Sequence, residues 1–193
     1  MGGIVFFVGG VALLGLEVYV LMYVIEHIRC IYINKQIPFV PSAGVLRAAV
    51  ANEICKNYPN VKTMCEIGSG YGGLARYVAK SADVTVTALE NMPFTFFIAR
   101  VLSVFSCAKV QNVRCDAFEY LKNYDGIFDV GVAYLGPHVN HKLADILDKF
   151  RFLIVLDTPI PQIKPVRIVD VGHGYTRYGR YKYPHKLFVY ETR

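Results

Sequence analysis

Nine residues constrain this chain more than any others: Cys65-Glu66-Ile67-Gly68-Ser69-Gly70-Tyr71-Gly72-Gly73. An apolar run leads into them and a helical pattern follows. A strand that turns through closely spaced glycines into a helix leaves bare backbone beside a helix N-terminus, where a ligand can come close. Around this turn, strands and helices alternate. Strands are expected at Lys62–Ile67, Val84–Leu89, Gln111–Cys115, Phe128–Tyr134 and Phe152–Leu156. Helices are expected at Gly72–Lys80, Pro93–Phe105, Ala117–Asn123 and Val139–Lys149. Such alternation predicts an α/β, Rossmann-like parallel sheet with helices on both faces. Val166–Val171 and Lys186–Glu191 read as strands with no helical pattern between them, so an antiparallel C-terminal hairpin should close the sheet.

Acidic residues mark three successive strand ends. Glu66 precedes the glycines, Glu90 ends the next apolar run and Asp116 follows the third. Gly68, Gly70 and Gly73 spell G-x-G-x-x-G, and with Glu90 twenty residues past Gly70 they also fit a dinucleotide fingerprint. Glu66 would be unhelpful beside a pyrophosphate but suits a cationic amino acid group. Asp116 is placed to meet an adenine amine, with the Ala117 N–H as a donor to the ring. A second half-domain of the dehydrogenase kind is not expected from these residues. These features favour S-adenosylmethionine over a dinucleotide. Gly68, Gly70 and Gly72 would let the backbone approach it, and Glu90 would accept from both ribose hydroxyls. Glu90 is also a plausible solvated strand end, and Asp116 a plausible N-cap.

The front of the chain is different. From Ile4 to Ile25 the only charged residue is Glu17, and roughly 20 mostly apolar residues span a bilayer as a helix. A signal peptide would need a basic n-region and a small-residue cleavage site. No Lys or Arg precedes Arg29, so a retained transmembrane anchor over 1–28 is expected, followed by a linker and helix over 29–60 and a catalytic domain over 61–193. All 21 Lys and Arg lie at or after Arg29, which places that domain on the cytoplasmic side of a bacterial inner membrane or facing a mitochondrial matrix. A charged Glu17 in mid-span would cost about 2.5–3.5 kcal/mol unless it meets another intramembrane group. Five cysteines show no C-x-x-C pair, and no His spacing suits zinc. Buried reduced thiols fit an internal compartment.

Two prolines, Pro38 and Pro41, interrupt the chain before Ser42, which can cap a helix over Ala43–Asn57. Near the other end, His173 to Lys186 interleaves tyrosines with Arg177, Arg180, Lys182 and His185. It is expected to pack on the sheet edge, or else to meet a membrane or substrate; no nucleic-acid partner is expected.

Four elements together resemble the membrane-anchored protein-lysine methyltransferases. That family includes the mitochondrial enzymes acting on the adenine nucleotide translocase and the ATP synthase c subunit, with bacterial relatives. The elements are the apolar N-terminal helix, the Pro38-Phe39-Val40-Pro41-Ser42 entry, the glycine turn, and the segments Tyr134-Leu135-Gly136-Pro137 through Lys142-Leu143 and Asp157-Thr158-Pro159-Ile160-Pro161. The resemblance spans essentially the whole chain. It implies a class I methyltransferase fold, S-adenosylmethionine as cofactor and a lysine of a membrane protein as acceptor. The family usually carries an acidic residue where this chain has Tyr71. At the acceptor end, Tyr134 is expected to shape the channel, His138 to accept a proton, and Asp157 to hold the ammonium. His138 equally suits a helix start, and Asp157 a turn. A lipid or small-molecule methyltransferase and an inactive cofactor-binding scaffold remain alternatives.

Overall fold

The computed structural model describes residues 2–33, 41–172, 175–176, 179–180 and 184–192, with side chains for 13–29, 31–32, 41–172 and 184–192. Seven strands form one sheet: β1 (Thr63–Ile67), β2 (Thr85–Glu90), β3 (Val110–Arg114), β4 (Phe128–Ala133), β5 (Phe150–Leu156), β6 (Arg167–Gly172) and β9 (His185–Glu191). Their order is β3-β2-β1-β4-β5-β9-β6. The first five are parallel, and β9 runs antiparallel to both β5 and β6. The expected hairpin therefore closes the sheet, with β9 inserted between β5 and β6. A two-stranded ribbon, β7 (Tyr175–Thr176) and β8 (Gly179–Arg180), interrupts it. Most of the basic-aromatic side chains expected there lie outside the described residues.

Successive strand residues face opposite sides, and this sorts the core into two layers. Met64, Val86, Val130, Ile154, Leu187 and Val189 pack beneath α2 (Gly44–Asn57) and α3 (Gly73–Ser81). Cys65, Ile67, Leu153, Val155, Phe188 and Tyr190 pack on the other face, against α5 (Ala117–Lys122) and a 3-10 helix over Asn140–Lys149. On β2 and β3 lies α4 (Pro93–Ser106), which also touches α1 (Gly2–Ile28). Strand order reverses between β1 and β4. In open α/β sheets ligands bind outside the carboxyl ends of the strands at that switch point.

One expectation is corrected and another is not supported. Ser42 does not cap α2: Ala43 holds the N-cap position without a side-chain bond, and the Ser42 carbonyl instead accepts from the Arg47 guanidinium at 2.8 and 3.0 Å. The transmembrane anchor over 1–28 is not supported either. Among the described residues no helix is long and apolar enough to cross a membrane. Glu17 is exposed. The linker residues Gln36–Val40, including Pro38, lie outside the described set.

Candidate active site

The glycine turn lies at the switch point. Gly68, Gly70 and Gly72 take φ of 70°, 55° and 67°, left-handed values that a side chain resists. Space is short as well: a Cβ on Gly68 would sit 3.0 Å from Leu135 Cδ2, and one on Gly72 3.1 Å from Arg76 Nη1. The Ser69 N–H donates to the Leu89 carbonyl at 2.9 Å, and the Gly72 N–H to the Ser69 carbonyl at 2.8 Å. The turn is thereby pinned to the end of β2. Ser69 Oγ is buried with no hydrogen-bond partner among the described residues. A buried hydroxyl left unpaired costs about 1–3 kcal/mol, so this oxygen suits a ligand.

Glu66 and Glu90 flank the turn from inside, both buried. The Ala75 N–H, in the first turn of α3, donates to Glu66 Oε2 at 2.9 Å. Burial pushes the Glu66 carboxyl up to about 8; the Ala75 bond opposes this, Glu90 reinforces it, and Arg76 and Arg47 oppose it. Glu90 accepts from the Gly70 N–H at 2.7 Å through one oxygen and from the Met92 N–H at 2.8 Å through the other. Burial also raises the Glu90 carboxyl, against these backbone bonds. A carboxylate has about four acceptor sites, so Glu90 retains capacity for a ligand hydroxyl.

Asp116 stands beside them because Cys115 N donates to the Glu90 carbonyl at 3.1 Å. It caps α5: one oxygen accepts from the Phe118 and Glu119 N–H groups at 2.9 and 3.1 Å. Capping and ligand contact use different oxygens and are compatible. Ala117 opens α5 with a first-turn N–H. The structure thus brings Glu66, Gly68, Gly70, Gly72, Glu90, Asp116 and Ala117 to one edge of the sheet. The set suits an adenosine ligand bearing an ammonium group.

The acceptor end is less uniform. Tyr134 is half-buried at the end of β4, against the core, whereas His138 is exposed. Asp157 has φ of 61° and follows β5. Its carboxylate meets His185 Nδ1 at 2.9 Å and accepts from the Lys186 N–H at 3.2 Å. The loop after it is fixed by Asn140 Nδ2 donating to the Thr158 carbonyl at 2.6 Å and Ile160 N–H to the Tyr190 hydroxyl at 2.8 Å. His185 was not foreseen as a partner of Asp157, because only the antiparallel pairing of β5 with β9 brings the two together.

Two contacts of α1 lie outside the sequence expectations: those of Glu26 with the start of α4, and that of Tyr19 with Tyr71. The carboxylate that matters on α1 is Glu26, not Glu17. It is buried and accepts from the Phe94 and Thr95 N–H groups and the Thr95 hydroxyl at 2.6, 3.0 and 2.7 Å. Tyr71, where the resemblance anticipates an acid, places its hydroxyl 3.3 Å from that of Tyr19 on α1. The signal for both was the spacing of Tyr19, Tyr23 and Glu26, which share one helix face.

Solved structures of methyltransferases superpose on the chain. The fold is that of the class I methyltransferases. An RNA methyltransferase from Salinibacter ruber, in complex with S-adenosyl-L-homocysteine, superposes with TM-score 0.62 at 20% identity, over 79% of this chain and 93% of that one. A precorrin-6y C5,15-methyltransferase from Geobacter metallireducens gives 0.58 at 15%, over 80% and 95%. A 16S rRNA N2 G1207 methyltransferase from T. thermophilus, in complex with AdoMet and guanosine, gives 0.58 at 15%, over 80% and 44%. No family model and no curated protein sequence matches the chain. At these identities the methyltransferase fold is what the likeness establishes.

Proposed function

We propose that this protein is an S-adenosylmethionine-dependent methyltransferase that N-methylates a lysine of a membrane protein, with α1 holding it at the bilayer. The observation that carries the reading is the turn itself. Three left-handed glycines, the buried Glu66 and Glu90 and the unpartnered Ser69 hydroxyl converge where this fold receives its ligand. Glu66 would hold the cofactor's ammonium, Glu90 its ribose hydroxyls and Asp116, with the Ala117 N–H, its adenine. The cofactor, when bound, supplies a methyl group activated on a sulfonium.

The chain's remaining task is alignment. A neutral amine needs its lone pair aimed at the methyl carbon, and holding the two in line supplies much of the acceleration. Tyr134 would border the amine. Asp157, oriented by His185 and the Lys186 N–H, would attract the ammonium before its proton is lost to solvent. His138, being exposed, would serve at the mouth as a proton acceptor.

The membrane reading rests on α1. Leu13, Leu14, Leu16, Val18, Val20, Leu21, Val24 and Ile25 are all exposed. An apolar surface of that extent marks an interaction site. Anchoring would raise the effective concentration of a membrane-held acceptor.

Isolated membranes incubated with the protein and S-[methyl-³H]adenosylmethionine test the acceptor. Label that disappears with protease and survives lipid extraction is expected. Label extracted with lipid would replace the lysine with a lipid acceptor. No label in either fraction, despite cofactor binding, would mean an inactive scaffold.

A further inference from the structure

Helix α4 begins one residue after Met92, whose N–H donates to Glu90, so the start of α4 and the ribose-facing carboxylate form one unit. That start lacks a cap of its own. Met92 occupies the N-cap position with no side-chain bond, and Pro93 follows. The N–H groups of Phe94 and Thr95 therefore need an acceptor from elsewhere. Glu26 supplies it from α1, nearly seventy residues away in sequence. Its side chain is 8% exposed, and it also takes the hydroxyl of the fully buried Thr95.

The same face of α1 reaches the other cofactor loop. Tyr19 stands seven residues before Glu26, two helical turns, so both side chains point the same way. The Tyr19 hydroxyl meets the Tyr71 hydroxyl in the glycine turn, and its ring lies 5.5 Å from that of Phe94. Tyr23 fills the space between, stacked on Tyr19 and 3.9 Å from the His27 ring. Two loops are thereby clasped at once. The glycine turn is held by Tyr19 through Tyr71, and the loop after β2 by Glu26 through Phe94 and Thr95. Glu90 ties the two loops together, taking the Gly70 N–H on one side and the Met92 N–H on the other.

We infer that α1 completes the cofactor site, with Glu26 as a positioning residue that fixes the loop presenting Glu90 and Tyr19 as a second clasp on the glycine turn. This rests on the cofactor reading above. Glu26 touches no cofactor atom in this scheme; it acts through α4 and Glu90. Docking of α1 and loading of the cofactor are then linked, and linkage is reciprocal: whatever docked α1 contributes to cofactor affinity, the cofactor returns to the docking of α1. A helix that meets the bilayer would in this way report membrane engagement to the cofactor pocket.

The test uses the full chain in lipid nanodiscs, titrated calorimetrically with S-adenosylhomocysteine and followed by amide hydrogen exchange. Glu26→Ala should weaken binding ten-fold or more. Glu26→Gln, which keeps one acceptor oxygen, should recover part of the loss. Tyr71→Phe should weaken binding several-fold. In the unaltered protein, S-adenosylhomocysteine should slow exchange of the Tyr19–Ile28 amides as well as those of Phe94 and Thr95. A merely structural role for Glu26 would not produce that protection of α1, and the exchange readout does not depend on any variant folding. Affinity of Glu26→Ala within two-fold of the parent, or α1 exchange unchanged by ligand, would overturn the inference while leaving the cofactor reading intact. Failure of the unaltered protein to bind S-adenosylhomocysteine would overturn both.

Discussion

Burial decides the charge of Glu66, and that makes cofactor binding depend on pH. Its carboxyl, ordinarily near 4.5, is pushed up to about 8 in the folded chain. Between those values the folded state keeps a proton that the unfolded chain has released. Stability of the ligand-free protein should therefore fall as pH rises from about 4.5 to about 8 and level off beyond. An ammonium placed against Glu66 favours the carboxylate, so affinity for the cofactor should rise across the upper part of the same window. Thermal melts and titrations at pH 6, 7 and 8 check both, and Glu66→Gln should flatten both slopes. Slopes unchanged in Glu66→Gln would assign the dependence to another group. At this scale the placement of the candidate residues was legible in the sequence. The glycines, Glu66, Glu90 and Asp116 sit at strand ends, and strand ends can be read locally. Glu26 and His185 were not legible, since each acquires its role from a partner on another element.

The elements themselves follow from local pattern. Apolar runs gave the parallel strands within a residue or two of where they lie, and β5 begins at Phe150, two residues earlier than expected. What pattern missed was tertiary. Ser42 lost its expected capping role, its carbonyl instead being engaged by Arg47, and the β7–β8 ribbon gave no hydrophobic signal. Packing between strands supplies a direct check. A Cβ on Gly131 of β4 would lie 2.7 Å from Phe150 and 2.8 Å from Leu153, both buried. Overpacking of that kind costs about 1–3 kcal/mol. Gly131→Ala should lower the thermal midpoint by several degrees. An unchanged midpoint would mean that β5 can shift to make room, contrary to the close contact of β4 with β5.

For the whole molecule, the question is how an apolar helix, the glycine turn and the candidate acceptor end are combined. Phe97, Val104 and Phe105 on α4 are exposed as well. The resemblance to membrane-anchored lysine methyltransferases is consistent with this surface, while the fold comparisons bear on the sheet and its turn. All of it depends on the ligand that the turn accepts. The most direct measurement is calorimetric titration of the full chain with S-adenosylmethionine and, separately, with NAD, alongside Glu90→Ala. The account expects binding of S-adenosylmethionine, no heat with NAD, and an affinity loss in Glu90→Ala of about ten-fold or more, from removal of a buried charged acceptor. Binding of NAD, or S-adenosylmethionine affinity untouched by Glu90→Ala, would contradict it.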